Sequence, residues 1–550
     1  MAAAELWQNV RQRRESTMNN SERVLCLGKH KCGTRWCRRT WHNKFLLCSM
    51  LFLAVNCIGQ RSVLTWHYNN MRWGSNTQET VLNPTNVVWT NFGKLFSQPV
   101  DGAIVGEALY LPNVTVPTQG THNVVYVATM NDTVYAFDAD NNLGSNALPL
   151  WAKRVAVSGA TAVPISVQGG AGVTGWTEVG VISTPVIDSA TGTIYVLAKD
   201  YLNGVVKNRL WGLSISTGAS KFSPVPISAT FTRGGVTYTF NNLTQINRPA
   251  LLLNGGNIYI AFGSNGINGQ EQGWVIAYSA ITSTSLTPQF RGAFNAEPGR
   301  DTAAIWQKGG GPSADGGGNV YVETGDGPVV AGTNFGQSVL KLTPMNSKLA
   351  LTGWFTPYNW RSLWLKDQDL NNSVLVLPPQ PGAHPYLAIA IGKVGTLYVL
   401  DRTNMGGLCT TCTTADTQIV QEVTGAGSET GALVYWNNRV YTTGQGSPVK
   451  IWSLSNGLLS TTPAVKTSQI FTSEHAPILS SNGTSNGILW QLNGGNLTAY
   501  DALTLKVLYQ ASQSNGRDSL PTLPHFGQLM QVNGKIYVGA NSSLVVFGLF

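Results

Sequence analysis

Two pairs of acidic residues have spacings that could do chemistry: Glu323 with Asp326, and Asp367 with Asp369. Paired carboxylates can serve as acid and base on a glycosidic bond. At separations this short, turn caps and calcium-holding loops are the commoner use of such pairs. A wider candidate ligand set is Arg248, Trp306, Asp326, Lys393, Arg517 and Asp518. Arginine beside tryptophan suits a planar or anionic ligand, through bidentate hydrogen bonds and stacking. For Arg248, Arg517 and Asp518 the competing expectation is structural: ion pairs between sheets that satisfy buried loop backbone. The histidines His67, His122, His384, His475 and His525 are scattered. Spacing therefore assembles neither a Ser-His-Asp set nor a metal cluster, no metal site is expected, and no catalytic residue is assigned.

Cysteine usage divides the chain. Five of the seven cysteines precede residue 60, leaving Cys409 and Cys412 in the remainder. A lone Cys-x-x-Cys with no second pair and no nearby histidine is a weak zinc signal. A local disulfide between Cys409 and Cys412 is the expectation in an oxidising compartment. The first 60 residues carry ten Lys or Arg against three acids. Within them Arg38, Arg39 and Lys44 precede the 11-residue apolar run Phe45 to Val55. This is the layout of a secretory signal and is short for a membrane span of about 20 residues. Export to the periplasm, cell surface or medium is expected, with an uncleaved membrane anchor as the alternative.

The net charge of +9 says little about partners, because beyond residue 60 there are 26 basic and 24 acidic residues. A nucleic-acid binder keeps its basic excess in the folded part. No nucleic-acid partner is expected, and a monomer is.

The elements that must position these side chains are announced by a recurring phrase. It reads Val-Val-Tyr-Val-Ala around Tyr126, Thr-Ile-Tyr-Val-Leu around Tyr195, Asn-Ile-Tyr-Ile-Ala around Tyr259 and Asn-Val-Tyr-Val-Glu around Tyr321. Weaker copies centre on Leu387, Tyr441 and Leu489, and a clear one on Tyr537. Eight copies at steps of 48 to 69 residues are wide enough for four antiparallel strands each, the period of a propeller or array. Charged residues are only 11% of the chain, against roughly 25% in an average soluble protein, and no segment keeps a helical period.

The reading is all-β: one eight-bladed β-propeller over 91–550, preceded by a basic leader over 1–60 and an extended segment over 61–90. After Leu544–Leu549 the chain stops with one strand of the last blade missing. The alternating stretch Asn91 to Ser97 can supply it and close the ring, removing an edge that would otherwise template aggregation.

Phrases such as Tyr126-Val-Ala-Thr-Met-Asn-Asp-Thr-Val-Tyr-Ala-Phe-Asp138 and Asn496-Leu-Thr-Ala-Tyr-Asp501 resemble the repeat of pyrroloquinoline-quinone propellers, the quinoprotein-dehydrogenase-like superfamily. The run from Leu64-Thr-Trp-His-Tyr-Asn onward is similar to a group of exported bacterial proteins that carry this repeat. The resemblance implies the fold, and it admits pyrroloquinoline quinone and calcium as cofactors. It does not fix an activity, since the repeat serves dehydrogenases, an assembly lipoprotein and binding proteins. Dehydrogenases of this superfamily hold the quinone between a disulfide of adjacent cysteines and a tryptophan, with Glu, Asn and Asp about a calcium ion. This sequence has no adjacent cysteine pair, so no cofactor ligand carries over.

In propellers of this repeat, the connections from second to third strand, and from the fourth strand to the next blade, share the face around the channel. Here they are long over 200–208, 264–273, 325–336, 157–180, 291–311 and 356–372, which predicts a raised wall on half of that face. A small-molecule or protein ligand is expected there, with a quinone-dependent dehydrogenase and a polysaccharide hydrolase or lyase as the alternatives.

Overall fold

Each of the eight repeat phrases folds as the second strand of its own small antiparallel sheet, and the eight sheets stand as the blades of a propeller. The computed structural model describes residues 61–168, 175–264, 272–299, 302–429, 431–473 and 475–550. The leader, with its apolar run, lies outside these residues, as do Arg300 and Asp301, polar residues of the stretch 291–311 that the sequence assigns to a channel-face connection. Among the described residues no helix is long and apolar enough to cross a membrane. Strands, called A to D from the first in each blade, run A-B-C-D. Blade 4, for example, is Ser313–Ala314, Val320–Thr324, Ser338–Met345 and Lys348–Thr356.

The recurring tyrosine has a physical reason. A buried phenol needs a hydrogen-bond partner, and it finds one just past strand C of the following blade. Tyr126 donates to the Ile215 carbonyl at 3.0 Å, Tyr441 to Ala502 at 2.9 Å and Tyr537 to Ala139 at 2.9 Å. The Tyr195 hydroxyl accepts from the Ile281 amide at 2.8 Å. The phrase is thus a pin between neighbouring blades, while its flanking Val and Ile fill the layers between sheets.

Ring closure follows the expected route. Phe92–Pro99 becomes the outer strand of blade 8, paired antiparallel with Ser543–Leu549 so that Phe92 faces Leu549 and Lys94 faces Phe547. Phe92 is fully buried against Trp490, Tyr509 and Phe547.

The segment before it is not a passive linker. Residues 63–76 cross the propeller axis and bond to all eight blades in turn. Val63 and Tyr110 exchange backbone bonds at 2.8 and 2.9 Å in blade 1, and Leu64 accepts from the Ile187 amide in blade 2. Asn70 Nδ2 donates to Leu253 of blade 3 at 2.8 Å. The carbonyls of Asn70, Met71, Trp73 and Gly74 accept from Ala314, Val376, Tyr435 and Leu479 of blades 4 to 7. In blade 8 the Tyr68 hydroxyl both accepts from and donates to the backbone of Gln531. Tyr110, Ile187, Leu253, Ala314, Tyr435 and Gln531 each pair, on strand B, with the residue just before the repeat tyrosine. The contacts therefore share one level of the channel, and the segment plugs it there.

Small residues make room for the plug. Trp66, 1% exposed, packs with Ala250, Ala432 and Ala476. A Cβ at Gly310 would sit 2.8 Å from its indole. Arg72, also 1% exposed, donates to Pro312 O, Trp66 O, Leu251 O and Thr65 Oγ1 at 2.8 to 3.3 Å. A guanidinium can be buried only with its donors used this fully.

Three connections differ from expectation. The long loop over 200–208 is instead a continuation of strands B and C, Thr193–Leu202 and Val205–Ser214, closed by Asn203-Gly204 with φ of 49° and 84°. Asn-Gly is the strongest short hairpin signal, and it was there to be read. The connection expected over 291–311 begins later, because strand D of blade 3 runs over Phe290–Asn295. The wall over 356–372 contains a short helix, Trp360–Leu365, which two turns are too few to announce by period.

Candidate functional site on the channel face

Asp326, Trp306 and Lys393 arrive from three connections and meet. Strand B of blade 4 ends at Thr324, and Gly325 and Asp326 follow as its turn toward strand C. A Cβ on Gly325 would lie 2.5 Å from Asp369 Oδ2 and 3.0 Å from Trp306 Cδ1. The glycine is what lets the indole and the carboxylate approach the backbone together. Asp367 and Asp369 follow the helix Trp360–Leu365, and Lys393 begins the turn after strand B of blade 5, Leu387–Ile391. Carboxyl oxygens of Asp326, Asp367 and Asp369 all lie within 4.8 Å of one another. Lys393 Nζ reaches Asp367 at 2.6 Å and Asp369 at 2.8 Å. Gln337 Nε2 donates to Asp326 Oδ1 at 2.7 Å.

Three carboxyl groups against one ammonium leave a site with an excess of negative charge, and the protons respond. Burial, reinforced by the charges of Asp369 and Asp367, lifts Asp326 to about 8. Asp369 is also raised, by burial, against the pull of Lys393. Burial opposes the charge on Lys393, but Asp369 and Asp367 outweigh it and push its pKa up. Behind them Glu323 is fully buried and lifted to about 8, chiefly by burial, although it accepts the amides of Asn372 and Ile391 at 2.8 and 3.2 Å. The cluster can thus offer a protonated acid, carboxylate acceptors and an ammonium donor beside an aromatic ring.

Arg248 adjoins this group: its guanidinium lies 3.6 Å over the Phe526 ring and 5.9 Å from the Trp306 centroid. Lys308 and Glu429 form a 2.5 Å ion pair across the same face. Arg517 and Asp518 go elsewhere. Asp518 accepts from Arg517, from the Tyr509 hydroxyl at 2.7 Å and from the Lys94 amide at 3.0 Å, while Arg517 donates to the carbonyls of Trp89 and Phe92. They hold the closing strand in place. Cys409 and Cys412 are disulfide-bonded. They follow Gly407–Leu408, which pairs with Phe355–Thr356 on the outer strand of blade 4.

Asp367, Asp369 and Glu323, weighed in the sequence as turn caps or an acid pair, belong to the cluster. Trp364, Gln337 and the axial Arg72 were not singled out. Trp364 had a signal, since Trp360 and Trp364 stand one helical turn apart.

No protein-family model and no curated protein matches the chain. Solved structures do match. A europium-containing methanol dehydrogenase aligns with TM-score 0.58 at 13% identity, covering 89% of this chain and 98% of that one. The quinohemoprotein alcohol dehydrogenase of Comamonas testosteroni aligns at 0.57 and 14%, covering 88% and 80%. Quinohemoprotein alcohol dehydrogenase ADHIIG of Pseudomonas putida HK5 aligns at 0.56 and 14%, covering 89% and 80%. At these identities the likeness is one of fold: an eight-bladed β-propeller.

The quinone seat implied by the repeat does not fit the residues here. The disulfide stands at the outer edge of blade 4, away from the axis. The axial position among Ala250, Ala432 and Gly310 is taken by Trp66. The clustered carboxylates already hold Lys393 between them.

Proposed function

We propose that this chain is an exported binding propeller that takes a polar ligand on the channel face over blades 4 and 5. The observation that carries this reading is the convergence of Asp326, Asp367, Asp369 and Lys393 beside Trp306, with more charge than the cluster itself neutralises. Perturbed carboxyls with a specific charge partner on a ligand-accessible face are candidates for a functional site. Trp306 supplies a stacking surface, Lys393 a donor and the carboxyls acceptors. Arg248 and Phe526 border the site, and the plug below confines access to one mouth.

Thermal shift of the full chain with neutral and amino monosaccharides, calcium, and pyrroloquinoline quinone with calcium tests this. A ligand among the sugars or amines whose shift disappears in Lys393→Ala and Asp326→Asn supports it. A chromophore shift with the quinone, together with dye reduction on alcohols or sugars, would replace it with a dehydrogenase.

A further inference from the structure

The connection from blade 4 to blade 5 leaves the outer strand at Thr356 and bridges at Leu370 to Gly392, beside the second strand of blade 5. The helix Trp360–Leu365 therefore lies within a connection that starts at the rim and ends near the channel. Only Leu363 on it is buried, while Arg361 is exposed and Leu365 is 71% exposed. Trp360 and Trp364, four residues apart and so on one side of the helix, are both half-buried. Their rings lie 6.2 Å apart with planes within 18° of each other. The Asp367 amide donates to the Trp364 carbonyl, and the Asp367 side chain, 77% exposed, is held by Lys393. The aromatic pair runs directly into the charged cluster.

We infer that the ligand is a neutral polysaccharide, laid along Trp360 and Trp364 with its hydroxyls reaching Asp367 and Lys393. This rests on the binding reading above and names its ligand class. The flat C–H face of a sugar ring packs on an indole, and near-parallel indoles about one sugar unit apart accept consecutive units. Carboxylate and ammonium side by side at the inner end accept from and donate to hydroxyls, which a purely apolar ligand lacks. Two rings followed by the charged cluster offer more contacts than a single sugar ring can use, which favours an extended chain. The acidic excess disfavours an anionic polymer.

Electrophoresis of the full chain through gels containing hydroxyethyl cellulose, xylan, dextran or pectin tests it. Retardation by at least one neutral polymer and not by pectin is expected, weakened roughly tenfold or more in Trp360→Ala and Trp364→Ala. Trp364→Tyr, which keeps a ring, retains most of the retardation, and Leu365→Ala retains all of it. Retardation by no neutral polymer, by pectin alone, or undiminished in the tryptophan variants overturns the inference. Loss in the tryptophan variants with full retention in Asp326→Asn and Lys393→Ala keeps the polysaccharide and removes the cluster from its site.

Discussion

Where residues 63–76 cross the channel, each blade meets a hydrogen bond, Trp66 fills the space left by alanines and glycine, and Arg72 spends its donors on carbonyl and hydroxyl oxygens. Over blades 4 and 5, the opposite ends of the strands present three carboxyls around one ammonium, with Asp326, and Glu323 behind them, both lifted to about 8. The first region's bonds to the blades and the Arg72 donors are met by the chain itself, although both ring nitrogens of the buried His67 find no hydrogen-bond partner among the described residues, while the second region crowds carboxyls around a single ammonium. A site that is not relaxed in isolation has interaction energy to give to a ligand, and that contrast locates function on the second region.

The comparison breaks most visibly through Arg72. Arg72→Ala orphans the carbonyls of Pro312, Trp66 and Leu251 in a buried space, and a loss of about 3–5 kcal/mol in unfolding free energy is expected by denaturant titration. Ligand binding in whatever fraction stays folded is expected to persist. Asp518→Ala comes next, leaving the Tyr509 hydroxyl and the Lys94 amide without their acceptor. A loss of about 2–3 kcal/mol is expected, with ligand affinity unchanged, because the pair serves the closing strand.

Asp326→Asn sharpens the comparison from the other side. Its folded-state pKa of about 8 lies above the ordinary 3.8. Between these values the unfolded chain releases a proton that the folded chain keeps, so this group makes stability fall as pH rises from about 4 to 8, and the full cost persists above 8. Asparagine keeps the bond from Gln337 and removes the titration. The variant is expected to show a flatter pH profile in this window and greater stability than the parent above pH 8, measured by unfolding at several pH values. The smallest effect belongs to Cys409→Ser with Cys412→Ser. A bridge over so short a loop contributes at most about 2 kcal/mol, and ligand binding and ring closure should both be indifferent to it.

The fold was legible because propellers repeat. Tyr126, Tyr195, Tyr441 and Tyr537 each pin one blade to the next, while Tyr321 donates instead to Asp315 of its own blade, so local pattern and global architecture largely agree, and Asn91 to Ser97 was recognisable by the absence of a strand at the other end. The plug was not legible, because residues 63–76 have no periodicity: their bonds go to eight different blades, six through the backbone and two through the side chains of Asn70 and Tyr68, and their side chains match a space that exists only once the ring has formed. The cluster was half legible. Asp326, Trp306 and Lys393 could be placed on the right face from loop lengths. That Asp367 and Asp369 share Lys393 depends on how the connection from blade 4 to blade 5 and the B–C turn of blade 5 fold back on each other, which spacing does not encode. Arg517 and Asp518 lay in a connection of the same kind, and the closing strand claimed them.

Hydrogen exchange of the full chain, with and without a retarded polysaccharide, tests the central claim most directly. The account predicts slow exchange at Ile187, Ala314, Val376, Tyr435 and Leu479, whose amides bond to the plug, unchanged by ligand, and new protection confined to 356–372 and 391–396. Rapid exchange at those five amides, or ligand-induced protection centred on 63–76 instead, would contradict it.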